Sequence, residues 1–530
     1  MHLRRLTLVT FAAPLLFAAC SSDTGTGNDG APVPAYEGAP SQPAAPQQPP
    51  ADTSNPPADA PDTATPDDEG ASGNNEVPPS TDTPLQPSEG TSTDTPLEPG
   101  EAPDDGSGNT GSTDGEGPAD PAPVDPAPVD PAPVDPGVPG DPVSPIGSVE
   151  NRGVDCEVPA LPAGNTLPNN PNLPDPFTRL DGTRITQKSD WICRREEILR
   201  QVNQYIYGQK PTKPDSVTGT VSNTQVTVNI QHNGQNESFS ATVTTPGGQG
   251  PFPAVISFSN SGPVQQIAAM GVAVINFNQG SVGSRNTGIF GRLYANNSAG
   301  DLAAWAWGVS RIVDVIQGAG NAIIDSSKLA VTGCSFLGKA AFAAGALDER
   351  IALTIPLESG IGGVPSYKIV PVLQPNPTNS GSGPEQPQHA INNGWLPTTS
   401  LVAQFQRLPV DTHEIIGLVA PRGLLVLGNT GGQGQFYLNL DNLSEHATAL
   451  AGREIFTALG VQNNISYDSR NVSHCQNTNM FTAAVQASVG RFLLKNNATT
   501  GAFTTDWEGV RTAPTQFVNW TTPTLAGELP

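Results

Sequence analysis

Residues 151–530 are predicted to fold as an α/β domain with a mainly parallel sheet, on two observations. Short apolar runs bounded by turn residues recur along this region, and apolar stretches of helical length lie between several of them. Taken in order, residues 217–230 and 239–245 alternate or run in β-branched residues, as antiparallel strands do. PAVISF at 253–258 and VAVINF at 272–277 have the length and composition of buried parallel strands. LAAWAWGVSRIVDVI at 302–316 is helical in length and composition. KLAVT at 328–332 is a further buried strand, followed by an Ala-rich helix over 337–347. Residues 351–355 and 423–427 continue the strands, and 480–495 close the domain with an apolar-faced helix. In such a sheet, function gathers at the C-terminal ends of the strands.

A different kind of chain precedes this domain. Arg4 and Arg5 are followed by an apolar stretch that ends in Ala18-Ala19-Cys20, with Ser21-Ser22 behind it. Residues 1–20 are therefore expected to be a lipoprotein-like signal with Cys20 acylated, the alternative being an ordinary signal peptide cut elsewhere. Both readings predict export, with membrane contact only through a lipid on Cys20. Residues 21–150 hold 25 of the 50 acids, 29 of the 55 prolines and no Lys or Arg. Asp-Pro-Ala-Pro-Val begins at Asp120, Asp125 and Asp130. Too few apolar groups are present to offset the entropy of ordering, so a disordered acidic Pro-rich linker is expected. Residues 151–530, the expected catalytic domain, keep 25 acids against 23 bases without basic runs, which excludes a nucleic-acid binder. No CxxC or HxxxH spacing occurs, and neither a metal nor a cofactor is expected.

Four further cysteines, Cys156, Cys193, Cys334 and Cys475, suggest two disulfides in an exported domain, with three pairings open. Cys156 and Cys193 both lie at its start, where a bridge would staple the N-terminal segment. That pairing would leave Cys334 and Cys475 to join distant parts of the chain.

One strand-to-helix junction carries chemistry. In Gly333-Cys334-Ser335-Phe336-Leu337-Gly338, small residues flank a Ser at the point where a strand would turn into a helix. This is the layout of a nucleophile elbow, although the spacing is G-x-S-x-x-G rather than the commoner G-x-S-x-G. Hydrolases of this architecture place nucleophile, acid and His in that chain order. Of His389, His413, His446 and His474, only His474 sits in a loop shortly before the last helix. A Cys334–Cys475 bridge would hold Ser335 and His474 in one neighbourhood, since disulfide Cα atoms lie about 4.4–6.8 Å apart. Glu358, just after the strand that follows the elbow helix, is the candidate acid, with Asp441 a weaker competitor.

The segments 331–339, 348–360 and 473–475 resemble the glucuronoyl esterases, carbohydrate esterase family 15. The likeness extends to Leu173-Pro-Asp-Pro-Phe177, residues 191–198, 271–277 and 304–311, Leu408-Pro-Val-Asp411, His413 and Ala420-Pro-Arg422. The resemblance implies an α/β-hydrolase, a three-layer sandwich, that cleaves esters of 4-O-methyl-glucuronic acid between glucuronoxylan and lignin alcohols. It implies Ser335 as nucleophile, His474 as base, Glu358 as acid and the Phe336 backbone N–H as oxyanion donor. It also implies Lys339 on sugar hydroxyls, bridges Cys156–Cys193 and Cys334–Cys475, and no metal; a monomer is expected.

Departures from the family pattern are specific. Phe336 stands where an Arg is usual, which removes a positive charge beside the oxyanion. The cysteines of a third bridge are absent: Ser366 or Pro365 stands near one partner's position and His446 near the other's. Tyr367-Lys368 occupies a Trp-Arg position, Phe436 or Tyr437 replaces a substrate-facing Trp, and Asn392 aligns with a Glu near Trp395. Tyr367, Trp395 and Tyr437 are therefore the expected further substrate contacts beside Lys339. Two rival readings stand beside this one. The same triad could act on another ester, such as acetyl xylan or a polyester, or the chain could be a non-catalytic surface lipoprotein that binds uronate polysaccharide.

Overall fold

The computed structural model describes residues 149–284, 286–373, 385–430, 442–476, 478–506 and 515–529. Cys20 and the expected linker up to residue 148 lie outside them. Ten strands form one sheet: β1 Ser216–Val221, β2 Gln225–His232, β3 Gln235–Thr244, β4 Phe252–Phe258, β5 Ala273–Phe277, β6 Ile324–Cys334, β7 Leu353–Leu357, β8 Gly423–Asn429, β9 Ile465–Arg470 and β10 Phe503–Thr505. Their spatial order is β1-β2-β3-β5-β4-β6-β7-β8-β9-β10. The first three strands form an antiparallel meander, β3 joins β5 antiparallel, and every pairing from β5 to β10 is parallel. The run at 217–230 is two strands, because Ser222 Oγ accepts the Gln225 N–H (3.0 Å) and turns the chain back.

Side-chain alternation divides the core between two faces. On β4, Ala254, Ile256 and Phe258 join the larger cluster, while Val255 joins the smaller one. On β8, Leu424 and Val426 face the first cluster and Leu425 and Leu427 the second. The larger cluster is covered by α1 (Trp191–Val202), α2 (Asp301–Gly318), α3 (Phe336–Leu347), α4 (Thr412–Val419) and α5 (Asn442–Ala458). The smaller is covered by the short helix Val264–Ala268 and by α6 (Thr482–Phe492). A central parallel sheet with helices on both faces is the three-layer arrangement expected from the sequence.

Helix α3 joins the predicted elbow to a buried polar network. Its N-terminus leaves β6 at Ser335, and its C-terminal carbonyls end in a set of basic side chains. Arg422 donates to Gly345 O and Asp348 O, Arg195 to Ala346 O, and Lys210 to Leu347 O, all at 2.8–3.0 Å. These carbonyls have no partner within the helix, and cations also complement the negative end of its dipole. No helix among the described residues is long and apolar enough to cross a membrane.

Candidate active site

The turn at Ser335 has a positive φ of 59° with ψ −129°, the sharp reversal that lifts a side chain off the end of a strand. Its N–H donates to Leu357 O of β7 at 3.0 Å, which ties the turn to the neighbouring strand. The G-x-S-x-x-G spacing has a direct cause. A Cβ on Gly333 would lie 2.3 Å from Leu337 O, and one on Gly338 would lie 2.5 Å from Leu357 O. Gly338 is thus required where α3 crosses the end of β7, one position later than in the commoner pattern.

Glu358 follows β7 directly, buried to 1 % exposure, with its N–H donating to Leu427 O at 2.7 Å. Its Oε2 accepts from His474 Nδ1 at 2.5 Å, and its Oε1 accepts the Cys475 N–H at 3.2 Å. The carboxylate therefore holds both the imidazole and the backbone of its loop. Cys334–Cys475 is formed, with Cα atoms 5.7 Å apart, and Cys156–Cys193 is the second bridge. Both sulfurs of the first bridge, a Glu358 oxygen and a His474 nitrogen lie within 4.8 Å of one another. With the sulfurs bound to each other this group offers no thiolate, the form that ligates metals. His474 Nε2 stands 3.6 Å from Cys475 Sγ. Among the described residues no hydrogen bond joins Ser335 Oγ to His474. The N–H of Phe336 opens α3, where no preceding turn supplies an acceptor within the helix.

The other candidates separate. His413 is buried and donates from Nε2 to Pro174 O at 2.8 Å, and burial holds its pKa down to about 4. His446 packs on Tyr467 and Phe503 beside β10, while His389 is on an exposed helix surface. Asp441, Phe436 and Tyr437 lie outside the described residues.

Lys339 is not a solvated surface lysine. It is 1 % exposed, its Nζ donates to Ser359 O and to Glu385 Oε2 at 2.6 Å each, and it lies 4.5 Å from the Trp395 ring centroid. Burial lowers its pKa, against the opposing pull of Glu385 and then Glu445. Trp395 is half-buried and held by its backbone, whose O accepts the Leu302 N–H at the start of α2. Glu385 was not singled out from the sequence; its Oε2 also accepts the Ile361 N–H at 3.0 Å. The one signal available was an isolated acid in an otherwise uncharged stretch from 369 to 400. Asn392 does not take that place, since its side chain accepts from Gln388 on an exposed surface.

Tyr367 corrects an expectation. Its ring is fully buried (0 %), so it cannot contact a substrate; its N–H donates to Asp411 Oδ1, and burial raises its hydroxyl pKa well above the usual range. The Ser366-Tyr367-Lys368 turn folds around Asp411, which accepts from all three residues while it caps α4. Where a third bridge would lie, the Ser366 N–H donates to Ser444 Oγ at 2.9 Å, and Ser444 stands on α5, the helix that also carries His446.

Residues 228–460 match the family described as "Glucuronyl esterase, fungi". A 4-O-methyl-glucuronoyl methylesterase of Schizophyllum commune is 35% identical over 388 residues, covering 70% of this chain and 95% of that protein. The glucuronoyl esterase catalytic domain from Hypocrea jecorina superposes with a TM-score of 0.61 at 34% identity, over 69% of this chain and all of that one. A serine-to-alanine mutant of the Sporotrichum thermophile glucuronoyl esterase, solved with methyl 4-O-methyl-β-D-glucopyranuronate, gives 0.63 at 33% identity over 70% of this chain and all of that one. With the parallel sheet, the elbow and the imidazole–carboxylate pair already in place, these likenesses show that the chain is an α/β-hydrolase and an esterase belonging to the glucuronoyl esterase family.

Proposed function

We propose that the chain hydrolyses esters of (4-O-methyl-)glucuronic acid, those joining glucuronoxylan to lignin alcohols, through a Ser335-His474-Glu358 acyl-enzyme mechanism. The observation that carries this reading is the Glu358–His474 hydrogen bond, held beside Ser335 by the bridge between their chain neighbours. Ser335 Oγ attacks the ester carbonyl and passes its proton to His474 Nε2. Glu358 orients the ring through Nδ1 and stabilises the imidazolium. The Phe336 N–H, at the positive end of α3, donates to the oxyanion. Collapse of the tetrahedral intermediate returns the proton to the leaving alcohol, and water attacks the acyl-enzyme by the same relay. The Oγ–Nε2 bond is completed in the substrate complex, as catalytic bonds that are long in the free enzyme can be.

Lys339 and Glu385 form the sugar-recognition pair. The Nζ keeps a third proton beyond its two bonds, and Glu385 Oε1 is free to accept a hydroxyl. The substrates named for the relatives support this reading: methyl 4-O-methyl-β-D-glucopyranuronate is the ligand solved with one of them. We also propose export as a lipoprotein, with Cys20 acylated and residues 21–150 spacing a monomeric catalytic domain (residues 151–530) from the membrane. Loss of fatty-acid labelling in Cys20→Ala checks the anchor.

The decisive assay follows acid release from benzyl glucuronate, with acetyl and p-nitrophenyl esters beside it. Turnover of the glucuronate ester should exceed the others, and Ser335→Ala should lose on the order of 10⁶ in kcat with its melting temperature kept. Hydrolysis retained in that variant rejects the mechanism, and preference for the acetyl ester rejects the substrate.

A further inference from the structure

Six large apolar side chains are exposed among the described residues, and Phe336 is the one aromatic member, at 37 % exposure. A ring beside a nucleophile is out of place as simple surface. It is also tightly braced. Trp395 stacks parallel to it, with centroids 6.4 Å apart and an interplanar angle of 3°, and Trp305 meets it edge-on at 6.2 Å. Trp305 is itself fixed, since its Nε1 donates to Gly283 O at 3.0 Å. Lys339 lies against Trp395, so an unbroken surface runs from Trp305 through Phe336 and Trp395 to the buried ammonium.

The side of Ser335 on which this surface stands follows from the proton relay. The leaving oxygen must face His474 Nε2, which lies next to the Cys334–Cys475 bridge. The ring partners of Phe336 belong to α2 and to the Trp395 turn, both outside the His474 loop. The oxyanion takes a third direction, along the N–H at the start of α3, which leaves the acyl group for the aromatic surface.

We propose that Phe336, braced by Trp305 and Trp395, is the specificity-determining wall of the acyl subsite and packs against the C–H face of the ring that bears the ester carbonyl. This inference rests on Ser335 as the nucleophile. Where a cation would stabilise the developing oxyanion by charge, this chain offers the sugar ring a contact surface. A pyranose offers such a face because its axial hydrogens form an apolar patch, and burying it against an aromatic ring is favourable in proportion to the area covered. The wall is indifferent to the alcohol.

The test compares methyl glucuronate, benzyl glucuronate and p-nitrophenyl acetate, whose acyl group carries no ring. In Phe336→Ala, KM for both glucuronate esters should rise about tenfold relative to that for the acetate, with the methyl-to-benzyl ratio of kcat/KM unchanged. Phe336→Tyr should restore the parent values, and Phe336→Leu, which keeps bulk if the alanine variant folds poorly, should fall between. A KM rise confined to the benzyl ester would move the wall to the alcohol side and overturn the proposal; so would unchanged KM for both glucuronate esters. Failure of the underlying reading looks different, because Ser335→Ala would then keep its acetate hydrolysis.

Discussion

The two ends of helix α3 are built on opposite principles. At its C-terminus, the carbonyls of Gly345, Ala346 and Leu347 are met by Arg422, Arg195 and Lys210, and the following residues extend the network. Arg350 bonds Asp348 and Asp314 at 2.7 and 2.6 Å, Glu349 joins Arg152 and Arg195, and Glu150 joins Lys210 and Arg311. At its N-terminus, Ser335, Glu358 and Cys475 all hold positive φ, of 59°, 48° and 57°, a conformation that costs of order 1–3 kcal/mol per residue. The Phe336 ring there faces solvent. One end uses its polar groups on one another; the other brings together a helix N–H, an imidazole and a partly exposed aromatic ring. A helix anchored firmly at one end can carry a strained turn at the other.

Substitutions at the two ends should separate activity from stability. After the loss expected for Ser335→Ala, the largest effect is again at the N-terminal end, where Glu358→Gln should lower kcat about 10⁴-fold, because the imidazolium loses its charged partner. Its melting temperature should stay within a few degrees, measured by calorimetry. Next come the bridges. Replacing Cys334 and Cys475 together by Ser should cost stability of about 2–5 kcal/mol and also depress kcat, because His474 is no longer tied to the elbow. Replacing Cys156 and Cys193 should cost a comparable amount in denaturant titration while leaving kcat per folded molecule unchanged. Equal loss of kcat in the two double variants would show that neither bridge positions His474 specifically.

Arg350→Met leaves Asp348 and Asp314 buried without their shared cation and should destabilise by about 3–5 kcal/mol with kcat retained. The smallest effect is one of pH. Burial opposes ionisation of Glu349, but Arg195 and Arg152 outweigh it and hold its pKa down to about 2, against an ordinary value of 4.5. A depressed carboxylate contributes stability above its unfolded pKa and loses it as pH falls toward the folded one. The window is therefore about pH 4.5 down to 2, worth about 3 kcal/mol, and Glu349→Gln should flatten it in melting curves.

The particular residues show which motifs were legible and why. Several segments that resemble the family, such as residues 191–198, 348–350 and Ala420-Pro-Arg422, turn out to serve the anchored end of α3. They read clearly because ion pairs of fixed geometry require particular side chains. Strand β9 went unread: its Ile465-Ser-Tyr-Asp-Ser-Arg470 has a polar residue at every second place or more, yet it is buried between β8 and β10, with Asp468 taken up by Thr504 and Arg470. Its pairing partners come from distant stretches of chain, and a polar strand is apolar in none of the windows that a sequence displays.

The sequence alone determined the α/β class, the elbow at Ser335, the order Ser335–Glu358–His474 and the cysteines that flank two of these residues. These are local patterns, legible because a strand, a sharp turn and a helix each restrict the residues that can occupy them. Tertiary structure alone decided that Tyr367 is core and not contact, that Glu385 and not Asn392 reaches Lys339, and that Phe336 is clamped between Trp305 and Trp395. Each of those outcomes depends on which distant segments pack together, and packing is set by the summed burial of the whole core rather than by any residue's neighbours in the chain.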